Sequence, residues 1–191
     1  MGLNGDSYCQ NERNQTRMPT GFPTTKTSLP GTQMTGTIVL GIGNRLGGDD
    51  AVGPCLVDML NQQQHKVKIL HSAEITAMDA GTTPESCTSI IRRRHPDSLI
   101  LVDAADMGLP PGALRTIPPE KISVLSFSTH HMPLSMFISY VQGFCGKVRL
   151  IGVQPERTEM GGGISKAVRR SMTELVDVVL EGRVAEIPLL E

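Results

Sequence analysis

Apolar and polar positions change rhythm along this chain, and the change divides it in two. Residues 1–36 are rich in Thr, Asn, Gly and Pro and show no apolar period. Such a stretch buries too little surface to offset its ordering entropy. Residues 1–36 are therefore expected to form a disordered N-terminal extension, and 37–191 the folded domain. From Thr37 onward, apolar runs alternate with amphipathic stretches. Thr37–Gly41 is a short apolar run ending in glycine, which suits a buried strand. Asp49-Asp50 opens a helix predicted to about Gln64, with Val52, Leu56, Met59 and Leu60 on one face. Ser72–Met78 is a weaker strand, and Pro84–Arg94 a helix with Pro84 and Glu85 in its first turn. Ser98–Asp103 is nearly all apolar and is predicted to be a central strand. Gly112–Ile117 reads as a short edge strand, Pro133–Val141 as a helix and Lys147–Val153 as the last strand. Ser165–Leu180 closes the series as a helix, with Val168, Met172, Leu175, Val176 and Val179 at helical spacing. This order predicts the α/β class: a single domain whose twisted, mostly parallel (mixed) sheet of about five strands carries helices on both faces.

Composition removes several function classes. Net charge is −1, so the basic stripe that nucleic-acid binding needs is missing. The run Arg92–Arg94 reads as the last turn of a helix, where the dipole favours cations. No apolar stretch approaches the ~20 residues of a membrane helix, and the N-terminus lacks the charged-then-apolar order of a signal peptide. The expectation is a cytoplasmic monomer with no nucleic-acid partner and no membrane insertion. Cys9, Cys55, Cys87 and Cys145 are scattered and form no C-x-x-C pair, which argues against a thiolate zinc site.

In a sheet of this kind, ligands bind outside the carboxyl ends of the strands. The residues expected there are Gly41 to Asn44 with Gly47 to Asp50, then Asp79 and Gly81, then Asp103 and Asp106, and finally Ser128 to Pro133. The first loop is not a dinucleotide fingerprint. Gly41 and Gly43 give G-x-G, but Leu46 stands at the third glycine position. Asp49 and Asp50 would also repel a phosphate from the helix start. Asp49 is expected to cap that helix, which leaves Asp50 free to point elsewhere. Asp103 ends an apolar strand and needs either a partner or an open cleft, since burying a lone carboxylate costs several kcal/mol. Asp79 is either a site residue or a turn residue bonding its own backbone. A histidine from His130-His131 beside two rim carboxylates makes an N/O set suited to zinc, nickel or a similar divalent ion.

Six segments, in order and register, resemble the hydrogenase maturation proteases. They are Gly41–Asn44, Gly48–Pro54, Asp79–Thr82, Val102–Gly108, Ser128–Leu134 and Gly152–Pro155. The Asp106-Met107-Gly108 and His131-Met132-Pro133-Leu134 forms look most like the branch serving the hydrogenase of formate hydrogenlyase. The resemblance spans about residues 37–180. It implies an endopeptidase that removes the C-terminal extension of a [NiFe] hydrogenase large-subunit precursor after nickel insertion. It further implies that Asp50, Asp103 and His130 contact that nickel, which belongs to the substrate, and that no cofactor is resident. Asp50 or Asp103 would also assist removal of a proton from the attacking water. Two features depart from the family pattern. Ala80 stands where a glycine is usual and would be strained if the site required positive φ, and His65–Ile75 looks like an insertion. The alternative is a nickel-binding maturation chaperone without hydrolysis. A zinc peptidase with its own metal is disfavoured by the lack of H-E-x-x-H, and a nucleoside-handling enzyme by the acidic first loop.

Overall fold

The longest apolar run, Ser98–Asp106, becomes β3 and lies in the middle of the sheet, buried from Leu99 to Ala105. The computed structural model describes residues 36–67, 74–123, 125–127 and 132–191. Around β3 lie β1 (Thr37–Ile42), β2 (Ile75–Gly81), β4 (Leu114–Ile117), β5 (Ser126–Phe127) and β6 (Lys147–Val153). The sheet order is β2-β1-β3-β6-β4, with β5 paired off this path to β3. The first four strands of that order run parallel, and β4 is antiparallel to β6. This is the mixed α/β sheet that the alternation implied. Its edge strand β4 is bordered by the C-terminal segment, where Thr116 bridges Leu189.

Helices α1 (Val52–Val67) and α4 (Lys166–Leu180) cover one face, and α2 (Thr88–Arg94) and α3 (Leu134–Val141) the other. Side chains alternate accordingly. Val39, Ile100, Val102 and Ile151 meet Leu56, Leu60, Met172 and Leu175. Ile38, Leu40, Leu99 and Leu101 meet Ile91, Phe137 and Val141 on the opposite face. Ser165 caps α4, accepting a hydrogen bond from Val168 N–H.

Several expected boundaries shift. The segment opening at Asp49-Asp50 begins as a 3-10 turn, Gly48–Ala51, and becomes α-helical only at Val52. The Pro84–Arg94 helix is likewise a 3-10 turn over Pro84–Cys87 followed by α2. The second strand runs over Ile75–Gly81, and the Ser72 end of the expected Ser72–Met78 strand lies outside the described residues. The extension predicted over residues 1–36 is outside it too, except for Gly36. β5 has no counterpart among the predicted strands: two residues are too few for a periodic signal.

Candidate active site at the carboxyl rim

β1 connects through α1 to β2 on one side, and the chain then crosses to β3 on the other side of β1. The carboxyl ends of β1 and β3 therefore flank the point where the strand order reverses, which is where open α/β sheets bind ligands. Two glycines bring the start of α1 onto this seam. A Cβ on Gly53 would collide with the backbone of Ile42 and the carbonyl of Val102, and one on Gly41 with the carbonyl of Gly53. The helix start can approach the strands this closely only without side chains at both positions. Asp50, three residues before Gly53, is thus held against the seam, and the turn that carries it touches β3.

The register pairs Gly41 of β1 with Val102 of β3, so Asp103 is level with the end of β1. Asp103 is fully buried. By alternation it shares the sheet face of Leu99 and Leu101, the face packed by α3. Asp50 and Asp103 therefore stand at one strand-end seam. His130 and His131 lie outside the described residues. Among the described residues, no three His, Cys, Asp or Glu side chains group closely enough to hold an ion.

The two adjacent aspartates do different work. Neither caps the helix that they open. Gly47 occupies the N-cap position, with no side-chain cap. This corrects the expectation for Asp49. Its side chain is fully buried and turned instead toward the loop after β6, accepting from the N–H groups of Glu156 at 2.8 Å, Arg157 at 3.2 Å and Ser165 at 2.6 Å. Asp50 is 5% exposed, and its Oδ2 accepts from Asn44 N–H at 2.8 Å. Its Oδ1 is buried and has no hydrogen-bond partner among the described residues. A carboxylate oxygen left in that state costs about 1–3 kcal/mol or more.

Asp79 is a turn residue. Its Oδ1 accepts from Gly81 N–H at 2.8 Å, while Oδ2 receives the Arg45 Nε at 2.8 Å. Gly81 takes the positive φ of 54°, and among the described residues His95 is the one non-glycine residue with positive φ. Ala80 therefore carries no such strain, and its departure from the family pattern is accommodated. Arg45 also forms a two-pronged pair with Asp58 of α1, at 2.8 and 3.1 Å. That hydrogen bonding holds the Asp58 carboxyl below its ordinary range. The sequence carries no signal for Arg45 and Asp58, because an arginine in a loop and an aspartate on a helix surface are ordinary residues until the fold joins them.

Gln154 is a second residue whose role emerges only in three dimensions. Its side-chain oxygen accepts from Met107 and Leu109 N–H at 2.7 and 3.2 Å, and its amide donates to Asp106 at 3.2 Å. It fixes the turn that leaves β3, and Asp106 is spent in the same turn. Cys55, Cys87 and Cys145 are free thiols. Burial pushes the Cys145 thiol up to about 11 and raises the other two as well, so none of these three is a ready thiolate.

With this geometry in place, comparison with known proteins is decisive. A family model described as hydrogenase maturation protease matches residues 55–182 of the 191. The chain belongs to the hydrogenase maturation protease family. Among curated relatives, it is 35% identical over 120 residues to the hydrogenase 3 maturation protease of Escherichia coli, covering 62% of this chain and 72% of that one. It is 32% identical over 146 residues to a putative hydrogenase maturation protease of Methanocaldococcus jannaschii, covering 75% and 86%. Solved structures agree. The solution structure of the endopeptidase HycI from Escherichia coli superposes with a TM-score of 0.70 at 26% identity, over 82% of this chain and 97% of that one. The [NiFe] hydrogenase maturation protease HycI from Thermococcus kodakarensis gives 0.66 at 28% identity, over 78% and 92%. The protein is thus an endopeptidase of hydrogenase maturation, and the reading as a chaperone without hydrolysis is set aside. No helix among the described residues is long and apolar enough to cross a membrane.

Proposed function

We propose that this maturation protease removes the C-terminal extension of a [NiFe] hydrogenase large-subunit precursor, and that it recognises the nickel already installed there through Asp50, Asp103 and His130. The observation that carries the reading is Asp50 Oδ1: a buried carboxylate oxygen at the strand-end seam, without a hydrogen-bond partner among the described residues. A divalent ion presented by the substrate would supply the positive charge that this oxygen lacks, and carboxylate and imidazole donors suit nickel. Chain connectivity supports the third member. Phe127 of β5 pairs with Ala105, two residues beyond Asp103, and His130 follows Phe127 by three residues. Three residues of chain reach at most about 10 Å.

In this scheme the metal acts as a ruler. The precursor's nickel centre docks at the rim, and the contacts to it set one peptide bond beside a water. Asp50 or Asp103 takes a proton from that water as its oxygen bonds to the scissile carbonyl carbon. The C–N bond then breaks, and the proton is passed to the departing amine. A precursor without nickel is not positioned, so its tail stays on. Asp103→Asn tests the scheme. The variant is expected to keep the wild-type circular dichroism spectrum and to leave a nickel-loaded precursor at full mass. Normal shortening by that variant would remove Asp103 from the mechanism.

A further inference from the structure

Two of the most exposed large apolar side chains of the described fold stand together at the candidate site. Leu46 is 64% exposed and Met160 is 70% exposed. They belong to different loops, one after β1 and the other after β6, yet the loops are tied rather than loose. Gly161 N–H donates to the carbonyl of Leu46 at 2.8 Å, and Asp49 N–H donates to the carbonyl of Arg157 at 2.9 Å. The Asn44 side-chain amide reaches Met160 Sδ at 3.8 Å. Asp49 takes three further N–H groups from the second loop. The pair is therefore held out to solvent by a fixed backbone, which spares an incoming partner the ordering cost of a mobile loop. It is also continuous with the site, since Asn44, two residues before Leu46, donates its own N–H to Asp50.

We infer that Leu46 and Met160 form an apolar rest for the substrate polypeptide, taking an apolar side chain of the precursor's C-terminal segment next to the bond that is cut. The inference relies on the processing role proposed above and adds a second point of recognition to the metal. Methionine suits this task because its unbranched thioether adapts to differently shaped side chains. A metal contact fixes one point of the substrate, and a hydrophobic contact on a neighbouring loop sets the direction in which the chain leaves it. The rest is built from the loops after β1 and β6, so the segment is expected to run across these tied loops.

The test is the double variant Leu46→Ser with Met160→Ser in the full-length protein, against a nickel-loaded precursor. Cleavage is followed by mass and binding by titration, with Leu189→Ser as a control of equal starting exposure, 64%, at the β4 edge. Loss of two apolar contacts is expected to raise KM and Kd by about tenfold or more. The fall in kcat should be much smaller, the melting temperature should be retained, and the control should behave as wild type. Wild-type KM and Kd in the double variant would overturn the inference while leaving the processing role intact. So would a change confined to self-association of the protease, which would reassign the pair to contact between copies. If the wild-type protein fails to shorten the nickel-loaded precursor, the processing role falls first and this inference falls with it.

Discussion

The pocket behind Asp49 and the seam in front of Asp50 begin at consecutive residues and are built on opposite terms. Asp49 has its negative charge absorbed by three backbone N–H groups of the loop after β6, including that of the residue capping α4. Hydrogen bonds to a charged acceptor are worth roughly 1.5–3 kcal/mol each, so this side chain stitches two loops to a helix start. Asp50 has one oxygen held by Asn44 and the other buried without a partner among the described residues. One carboxylate is fully employed by the fold. The other is placed by the fold with one oxygen unsatisfied among the described residues. Adjacent positions of one residue type can thus be told apart by what remains unsatisfied, whereas their burial is nearly the same.

That contrast can be broken first at Asp50. Asp50→Asn keeps an acceptor for Asn44 N–H and removes the charge. Processing of a nickel-loaded precursor is expected to fall by about 10²-fold or more, with urea unfolding within about 1 kcal/mol of wild type or slightly more stable, since a costly buried charge is gone. Equal loss of activity and stability would make Asp50 another structural residue. Asp49→Ala should give the mirror image. It strands three N–H groups, and a loss of about 4 kcal/mol or more in unfolding free energy is expected. Such activity as is lost should follow the displaced loop, and therefore Met160. A denaturation midpoint like that of the wild type would show that the loop is not held from this side.

Arg45 sharpens the comparison at smaller amplitude. It ties the first loop to α1 and to the end of β2, but its side chain and that of Asp58 are about half exposed. Arg45→Met is expected to cost less than about 1 kcal/mol, with less effect at high salt. The pH dependence has a definite sign. The folded-state pKa of Asp58 is depressed from 3.8. Its contribution is complete above the unfolded value and is lost as pH falls through the folded one. Thermal unfolding of wild type and Arg45→Met should differ at neutral pH and converge in strong acid. A gap that widens in acid would contradict the assignment.

Much of this was legible in the chain. The strands of the parallel core followed from uninterrupted apolar runs such as Ser98–Asp103, because a strand buried on both faces leaves that mark. The rim was legible from strand ends and glycines. Gly41 and Gly53, twelve residues apart, make sense only when α1 lies on β1, and no local pattern reveals that pairing. Asp49 looks like a cap in the sequence because its true partners, Glu156, Arg157 and Ser165, are more than a hundred residues away. Gln154 was visible as part of a motif, but its use in fixing Met107 and Leu109 depends on β6 lying beside β3. Local periodicity encodes elements. The identity of a polar partner across the sheet is encoded only in the topology.

The most direct measurement is the nickel X-ray absorption spectrum of the loaded precursor, frozen alone and immediately after mixing with an equimolar amount of the protease. The account predicts that mixing adds oxygen and nitrogen scatterers to the nickel shell, and that Asp50→Asn weakens the change. A spectrum unaltered by the wild-type protein, in a mixture that goes on to release the C-terminal extension, would contradict recognition through the metal.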